Sequence, residues 1–189
     1  EKIILCDVQL KIYDDLEKTI DILKPNVVII DCLYNTADGS DITKNHKIFP
    51  ILQRITEIRD KYECTVVAIH HCNKGGHEQG LVIERLMGGS ALINWAEHIN
   101  LLSRTNEDDT RLFRIGKSRH FDYSQAHYLL RWDSDKLSLN NYGITNDWKK
   151  YLEFMPNSVR AILVENTYNS FAILSNLFDF KSKSNGIIS

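Results

Sequence analysis

Two apolar runs of the sequence are each followed directly by ionisable residues. Asp31 follows the apolar run 27–30, and His70 and His71 follow the apolar run 64–69. Short continuous apolar runs are typical of strands buried on both faces of a parallel sheet. Because α/β proteins bind ligands beyond the carboxyl ends of such strands, we expect Asp31 and at least one imidazole to face the same crevice.

These residue types suit phosphate chemistry, although each has a plainer alternative. Asp31 can hold Mg²⁺ through water while the metal bridges nucleotide phosphates, or it can simply cap the turn after its strand. His70 and His71 can sense a γ-phosphate or an attacking water, bind a metal, or form structural hydrogen bonds. Adjacent strand residues point to opposite faces, which argues against both imidazoles binding one ion.

The segment 116–119 resembles the end of a phosphate-binding loop. Such a loop has the pattern G-x-x-x-x-G-K-[ST] between a strand and a helix. Here Arg111 occupies the position of the first glycine, and strand-like residues intervene, so we reject the loop. We expect Lys117 and Arg119 instead to project from a strand end toward a phosphate on another molecule, as an arginine finger does. A solvated basic turn is the alternative.

Two predicted loops, 33–46 and 72–88, are longer than connections in compact domains usually are. Both follow predicted strands, so we expect them at the same edge of the sheet. Their basic residues could line a channel for single-stranded nucleic acid. These candidates are Lys44, Lys74, His77 and Arg85. Glutamates share the second loop, so an ordinary polar surface is the alternative.

The predicted elements alternate in the order β-α-β-α-β and then change to short strands. This order predicts an α/β fold with a mostly parallel sheet, right-handed crossovers and an antiparallel extension. We expect a core at 1–142 and a small helical C-terminal extension at 143–189. The predicted strands are 2–6, 27–31, 64–69, 99–102, 111–115, 126–132 and 136–139. The predicted helices are 14–23, 47–62, 90–97, 148–154, 159–166 and 170–178.

Composition narrows the functional classes. The 189 residues are 43% hydrophobic and 25% charged, as in an ordinary globular domain, and the net charge of −2 restricts any nucleic-acid contact to a local patch. Four separated cysteines without a CxxC pair indicate reduced thiols in the cytoplasm. No apolar run approaches the length of a membrane span. Because the chain lacks an initiator methionine and enters a predicted strand at once, we expect a fragment of a longer protein.

The ordered segments 27–31, 70–75, 88–92 and 117–119 together resemble the RecA-like ATPase core of hexameric replicative helicases, especially the RepA type. The resemblance covers roughly 1–140 and implies a three-layer core, ATP and Mg²⁺ as cofactors, single-stranded DNA as partner and self-association into a ring. It also implies that Asp31 is the Mg²⁺ carboxylate of the Walker B motif and that His70 or His71 is the γ-phosphate sensor. Lys117 and Arg119 would act on a neighbouring subunit.

Two departures from this family matter. The sequence has no Walker A motif, and the general-base glutamate would precede Lys2, so the chain is either the C-terminal part of a longer ATPase or a degenerate relative. Alone, it is expected to hydrolyse ATP poorly or not at all, because phosphate positioning supplies most of the catalysis. A catalytically silent DNA- or partner-binding module is one alternative. A metal-dependent hydrolase using Asp31, His70 or His71, with His77 and Asp38, is another.

Overall fold

A computed structural model of the chain describes residues 3–5, 15–36, 44–73, 79–87, 89–152, 159–165 and 187–188. The helices are α1 (Leu16–Leu23), α2 (Asn45–Tyr62), α3 (Gly89–Trp95) and α4 (Trp148–Leu152). The strands are β1 (Val27–Asp31), β2 (Thr65–His71), β3 (His98–Arg104), β4 (Thr110–Ser118), β5 (His127–Asp133), β6 (Ser138–Thr145), β7 (Arg160–Glu165) and β8 (Ile187–Ile188). Short 3₁₀ helices cover Leu33–Thr36 and Ile83–Arg85.

The described strands form one mixed sheet in the order β1-β2-β7-β3-β4-β5-β6-β8. The α/β class and the antiparallel extension are confirmed. The parallel part is smaller than predicted, because parallel pairing among the described strands is confined to β1–β2 and the short β6–β8 pair. The reason is that β7 lies between β2 and β3 and pairs antiparallel with both. β1, β2 and β3 therefore still run in the same direction.

The helices in the described part of the chain pack on one face of this sheet. The apolar positions that recur at helical spacing in α2 are buried, as predicted: Ile48, Ile51, Leu52, Ile55 and Ile58. They join a core with Leu92 of α3 and with strand residues that alternate toward the same face. Those strand residues include Val66, Ala68, Ile99, Leu101, Ala161 and Leu163. The apolar residues that recur at helical spacing in α2 and the apolar runs of the strands therefore contribute to the same core.

The predicted helix at 159–166 is wrong, because this segment forms β7. Residues 161–164 are all apolar, and a short apolar run does not distinguish a buried strand from a buried helix by periodicity. Its partners, β2 and β3, lie far away in the sequence, so no local pattern indicates the pairing. Since β7 is the third strand of the sheet, the proposed boundary at 142 does not separate the sheet from the C-terminal segment.

Other boundaries agree with the sequence in part. The predicted strand at 2–6 is not seen at residues 3–5, which belong to no helix or strand and are exposed. The rest of that segment and the predicted helix at 170–178 lie outside the described residues. The helix predicted after 147 is confirmed as α4, although it is described only to Leu152. Among the described residues, no helix is both long enough and apolar enough to cross a membrane.

Candidate functional site at the carboxyl edge of the sheet

The shared direction of β1, β2 and β3 brings their last residues to one edge of the sheet, where β7 begins. Asp31 ends β1 and pairs with Ile69 of β2. His71 ends β2 and pairs with Arg160, the first residue of β7. Carboxyl edges of this kind are the usual ligand sites of α/β sheets. The edge therefore carries a carboxylate, an imidazole and a guanidinium on three successive strands.

Register also places these three side chains on one face. Directly paired residues point to the same side of a sheet, and so do residues two apart in a strand. Asp31 therefore shares a face with Ile69, with His71 and with Arg160. Strand spacing and rise put the Cα atoms of Asp31 and Arg160 roughly 12 Å apart, a span that side chains and a small ligand can fill together.

The three side chains are accessible. Asp31 and Arg160 are exposed and His71 is half-buried. Among the described residues, none of the three takes part in an ion pair, and the only side-chain hydrogen bond runs from Arg160 to the neighbouring Val159 carbonyl at 3.4 Å. Asp31 and His71 can therefore contact a ligand without first breaking a described side-chain interaction, and Arg160 would release only its long bond to Val159.

His70 faces the opposite side of β2 and is buried, with 1% exposure. Its Nε2 lies 2.7 Å from the Met87 carbonyl oxygen, which ties β2 to the segment before α3. Burial lowers the pKa of His70, and the neighbouring His71 acts in the same direction. The register thus separates the two histidines. His71 lies on the same face of the sheet as Asp31, whereas His70 lies on the face that the helices cover.

Arg85, a predicted nucleic-acid contact, is instead buried in the base of the loop that follows β2. Its guanidinium donates to the Gly80 carbonyl at 2.7 Å and to the Asn73 carbonyl at 3.0 Å. Its exposure is only 4%, so it holds the loop together and does not line its surface. Cys72 lies nearby, and its burial raises the pKa of its thiol to about 11, so this cysteine is unreactive.

The later part of the same loop is fixed on the sheet by close packing. A Cβ at Gly80 would come within 2.6 Å of the Trp148 ring, and one at Gly116 within 2.3 Å of the Ile83 side chain. Arg114 also donates to the Leu81 carbonyl at 2.7 Å. Gly116 therefore serves strand packing, which agrees with our rejection of a phosphate loop there.

The remaining nucleic-acid candidates lie in the other parts of the two loops. Lys44 is exposed immediately before α2. Lys74 and His77 lie outside the described residues, as does Asp38. Lys44 is therefore accessible to a nucleic acid. The nucleic-acid contacts predicted for Lys74 and His77 stay predictions.

Lys117 and Arg119 lie at the opposite, amino edge of β3, because His98 pairs with Ser118. They do not project from the sheet as predicted. The Lys117 ammonium donates to the carbonyls of Ile93 and Ala96, the latter at 2.7 Å. Arg119 donates to the Asn94 carbonyl and to the Glu97 carboxylate, the latter at 2.8 Å. The open carbonyls at the C-terminal end of α3 attract these cations.

The described residues contain no group of three or more histidine, cysteine, aspartate or glutamate side chains that could hold a metal ion. The carboxyl edge carries one carboxylate, Asp31, with an imidazole and a guanidinium on the same face. Arg160 is not among the site residues predicted from the sequence. It directly precedes an apolar run, whereas Asp31 directly follows one, and both patterns indicate a charged residue at a strand end. An antiparallel strand begins at the edge where its neighbours end, so its first residue joins the site.

Comparison with known proteins supports an ATPase-like character for the N-terminal part of the chain. A sequence profile of a family described as an AAA domain matches residues 7–77, which include β1, α2 and β2. The match covers less than half of the chain. No curated protein and no solved structure matches it.

Proposed function

We propose that this chain is part of a RecA-like ATPase that couples ATP hydrolysis to movement of single-stranded DNA, as replicative helicases do. The observation that carries the proposal is the placement of Asp31 and His71 on one face at the carboxyl edge of a parallel strand pair. The AAA-domain match spans the same strands, which supports nucleotide binding. Under this proposal His71, not the buried His70, contacts the terminal phosphate.

The residues of this edge fit a magnesium nucleotide. Asp31 is exposed, and its carboxylate makes no hydrogen bond with a described side chain, so it would hold Mg²⁺. Magnesium usually takes one or two carboxylates and completes its shell with water and phosphate oxygens. When bound, the metal would neutralise charge on the phosphates during transfer.

The positions of three basic residues support the proposed ring and its contact with DNA. Lys117 and Arg119 are at the edge of the sheet opposite Asp31, so they cannot serve the site of their own chain. In a head-to-tail ring the exposed Arg119 would leave Asn94 and Glu97 to reach the site of the adjacent subunit. Lys117 would act there only after releasing the carbonyls of Ile93 and Ala96. The exposed Lys44 precedes α2 on the carboxyl side of the sheet, where a strand of DNA would contact it.

Hydrolysis of ATP by the protein as it is encoded tests this function. We expect turnover to rise when single-stranded DNA is added and to be lost in Asp31→Asn. Asp122→Asn, which removes an exposed carboxylate from the segment after β4, is the matched control. Equal turnover in wild type and Asp31→Asn would contradict the proposal, and so would turnover that ignores DNA.

A second candidate function is a catalytically silent module that binds DNA or a replication partner. It is favoured by the central antiparallel β7 and by the lack of a G-x-x-x-x-G-K-[ST] pattern in the sequence. Calorimetric titration with MgATP separates the two candidates. Binding of MgATP supports the ATPase, whereas DNA binding without any affinity for MgATP supports the silent module.

A further inference from the structure

Arg160 is the first residue of β7, which belongs to the part of the chain beyond the AAA-domain match. It lies opposite His71 on one side and Leu102 on the other, so it is at the centre of the carboxyl edge. Its side chain is exposed, and no described carboxylate lies within ion-pair distance. A guanidinium that is exposed and has no acidic partner in the described part of the chain, beside His71 and on the same face as Asp31, is well suited to an anion.

Burial raises the pKa of the Cys72 thiol, directly after β2, to about 11, and the charges of Arg85 and Arg160 act in the opposite direction. Arg85 is committed to carbonyls of the loop. Arg160 is therefore the cation of this pair that can turn toward a ligand.

We propose that Arg160 binds the phosphates of the nucleotide held at Asp31 and His71. The strand that completes the centre of the sheet thus supplies a phosphate contact from the C-terminal part of the chain. This inference rests on the proposed function and adds to it a residue of the binding site.

Geometry supports a division of labour between Asp31 and Arg160. Their backbones are roughly 12 Å apart on the same face, and His71 lies between them. A carboxylate can hold a phosphate only through a metal ion, whereas a guanidinium binds phosphate oxygens directly with its planar fork of donors. Asp31 should therefore act only when Mg²⁺ is present, and Arg160 should act with or without it.

Titration of the protein as it is encoded with ATP, once with Mg²⁺ and once with EDTA, tests this division. We expect Arg160→Ala to weaken binding about ten-fold or more under both conditions, as loss of a charged hydrogen bond predicts. Arg160→Lys should retain part of the affinity. Arg131→Ala, which removes an exposed arginine of β5, is the matched control and should bind as wild type does.

The outcomes distinguish this inference from the proposed function. If wild type binds MgATP and Asp31→Asn weakens it, but Arg160→Ala does not, the inference is overturned and the function stands. If wild type has no affinity for ATP, both are overturned. Circular dichroism of each variant verifies folding, and Arg160→Lys maintains the test if Arg160→Ala does not fold.

Discussion

Arg59 of α2 and Glu165 of β7 form a buried ion pair that fastens the central strand to the longest helix. Both side chains are largely buried, with 10% and 7% exposure. Burial, reinforced by the carboxylate of Glu97, raises the pKa of Glu165 to about 7 in spite of the Arg59 charge. The pair holds the end of β7 opposite to Arg160.

Removing one partner of this pair should destabilise the fold strongly. Well above pH 7, where Glu165 is ionised, Arg59→Ala leaves a buried carboxylate without its cation, a change that typically costs about 3–5 kcal/mol. Urea unfolding measures the loss. The double variant Arg59→Met/Glu165→Leu removes both charges and should recover much of the stability. A small effect of Arg59→Ala would contradict burial of the pair.

Glycine at position 116 should be required for strand packing. In Gly116→Ala the added methyl group would meet Ile83 at 2.3 Å, so we expect a loss of about 1–3 kcal/mol. The same change made in an Ile83→Ala background should cost much less, because the clashing group is gone. Equal costs in the two backgrounds, compared by chemical denaturation, would show that the contact is not the cause.

His127 should make the protein sensitive to acid. Burial, with a smaller effect of the Arg114 charge, lowers the pKa of this imidazole to about 4. Because the folded pKa lies below the unfolded one, the stability it contributes is present above pH 6.5 and is lost as the pH falls toward 4.

The variant His127→Phe keeps a ring against Trp148, 4.9 Å from the imidazole centroid in the wild type, but cannot titrate. Its free energy of unfolding should therefore fall less than that of wild type between pH 6.5 and 4, by at most about 3 kcal/mol. Unfolding curves at several pH values measure the difference. Parallel pH profiles for the two proteins would contradict this account.

Arg119 provides a test of the proposed ring. In Arg119→Ala of the encoded protein we expect ATP turnover to fall by about 10³ or more while nucleotide binding persists, because a trans-acting cation stabilises only the transition state. Glu97→Gln is a useful control, since it breaks the ion pair with Arg119 but leaves the cation in place. Unchanged turnover in Arg119→Ala would show that this cation only caps α3.

The sequence predicts the elements that are defined by local pattern. The helical spacing of Ile48, Ile51 and Ile55 and the apolar run 27–30 each specify an element without reference to the rest of the chain. The place of β7 depends instead on strands far away in the sequence, so its apolar run taken locally predicts a helix. The sheet was accordingly predicted as more parallel than it is.

The same limit applies to the site. The alternation of a strand predicts that His70 and His71 face opposite sides, but only the register decides which of them joins Asp31. Arg85 is basic and lies in a loop, so its sequence position does not distinguish a surface contact from a buried brace. Arg160 enters the site only through the topology of the sheet.

The most direct test of the carboxyl-edge site is the magnesium dependence of ATP binding, measured by calorimetry on wild type and Asp31→Asn. We expect Mg²⁺ to increase the affinity of wild type for ATP, and we expect Asp31→Asn to lose this increase while keeping its metal-independent affinity. An equal increase in both proteins would contradict the assignment of Asp31 as the carboxylate that holds the metal.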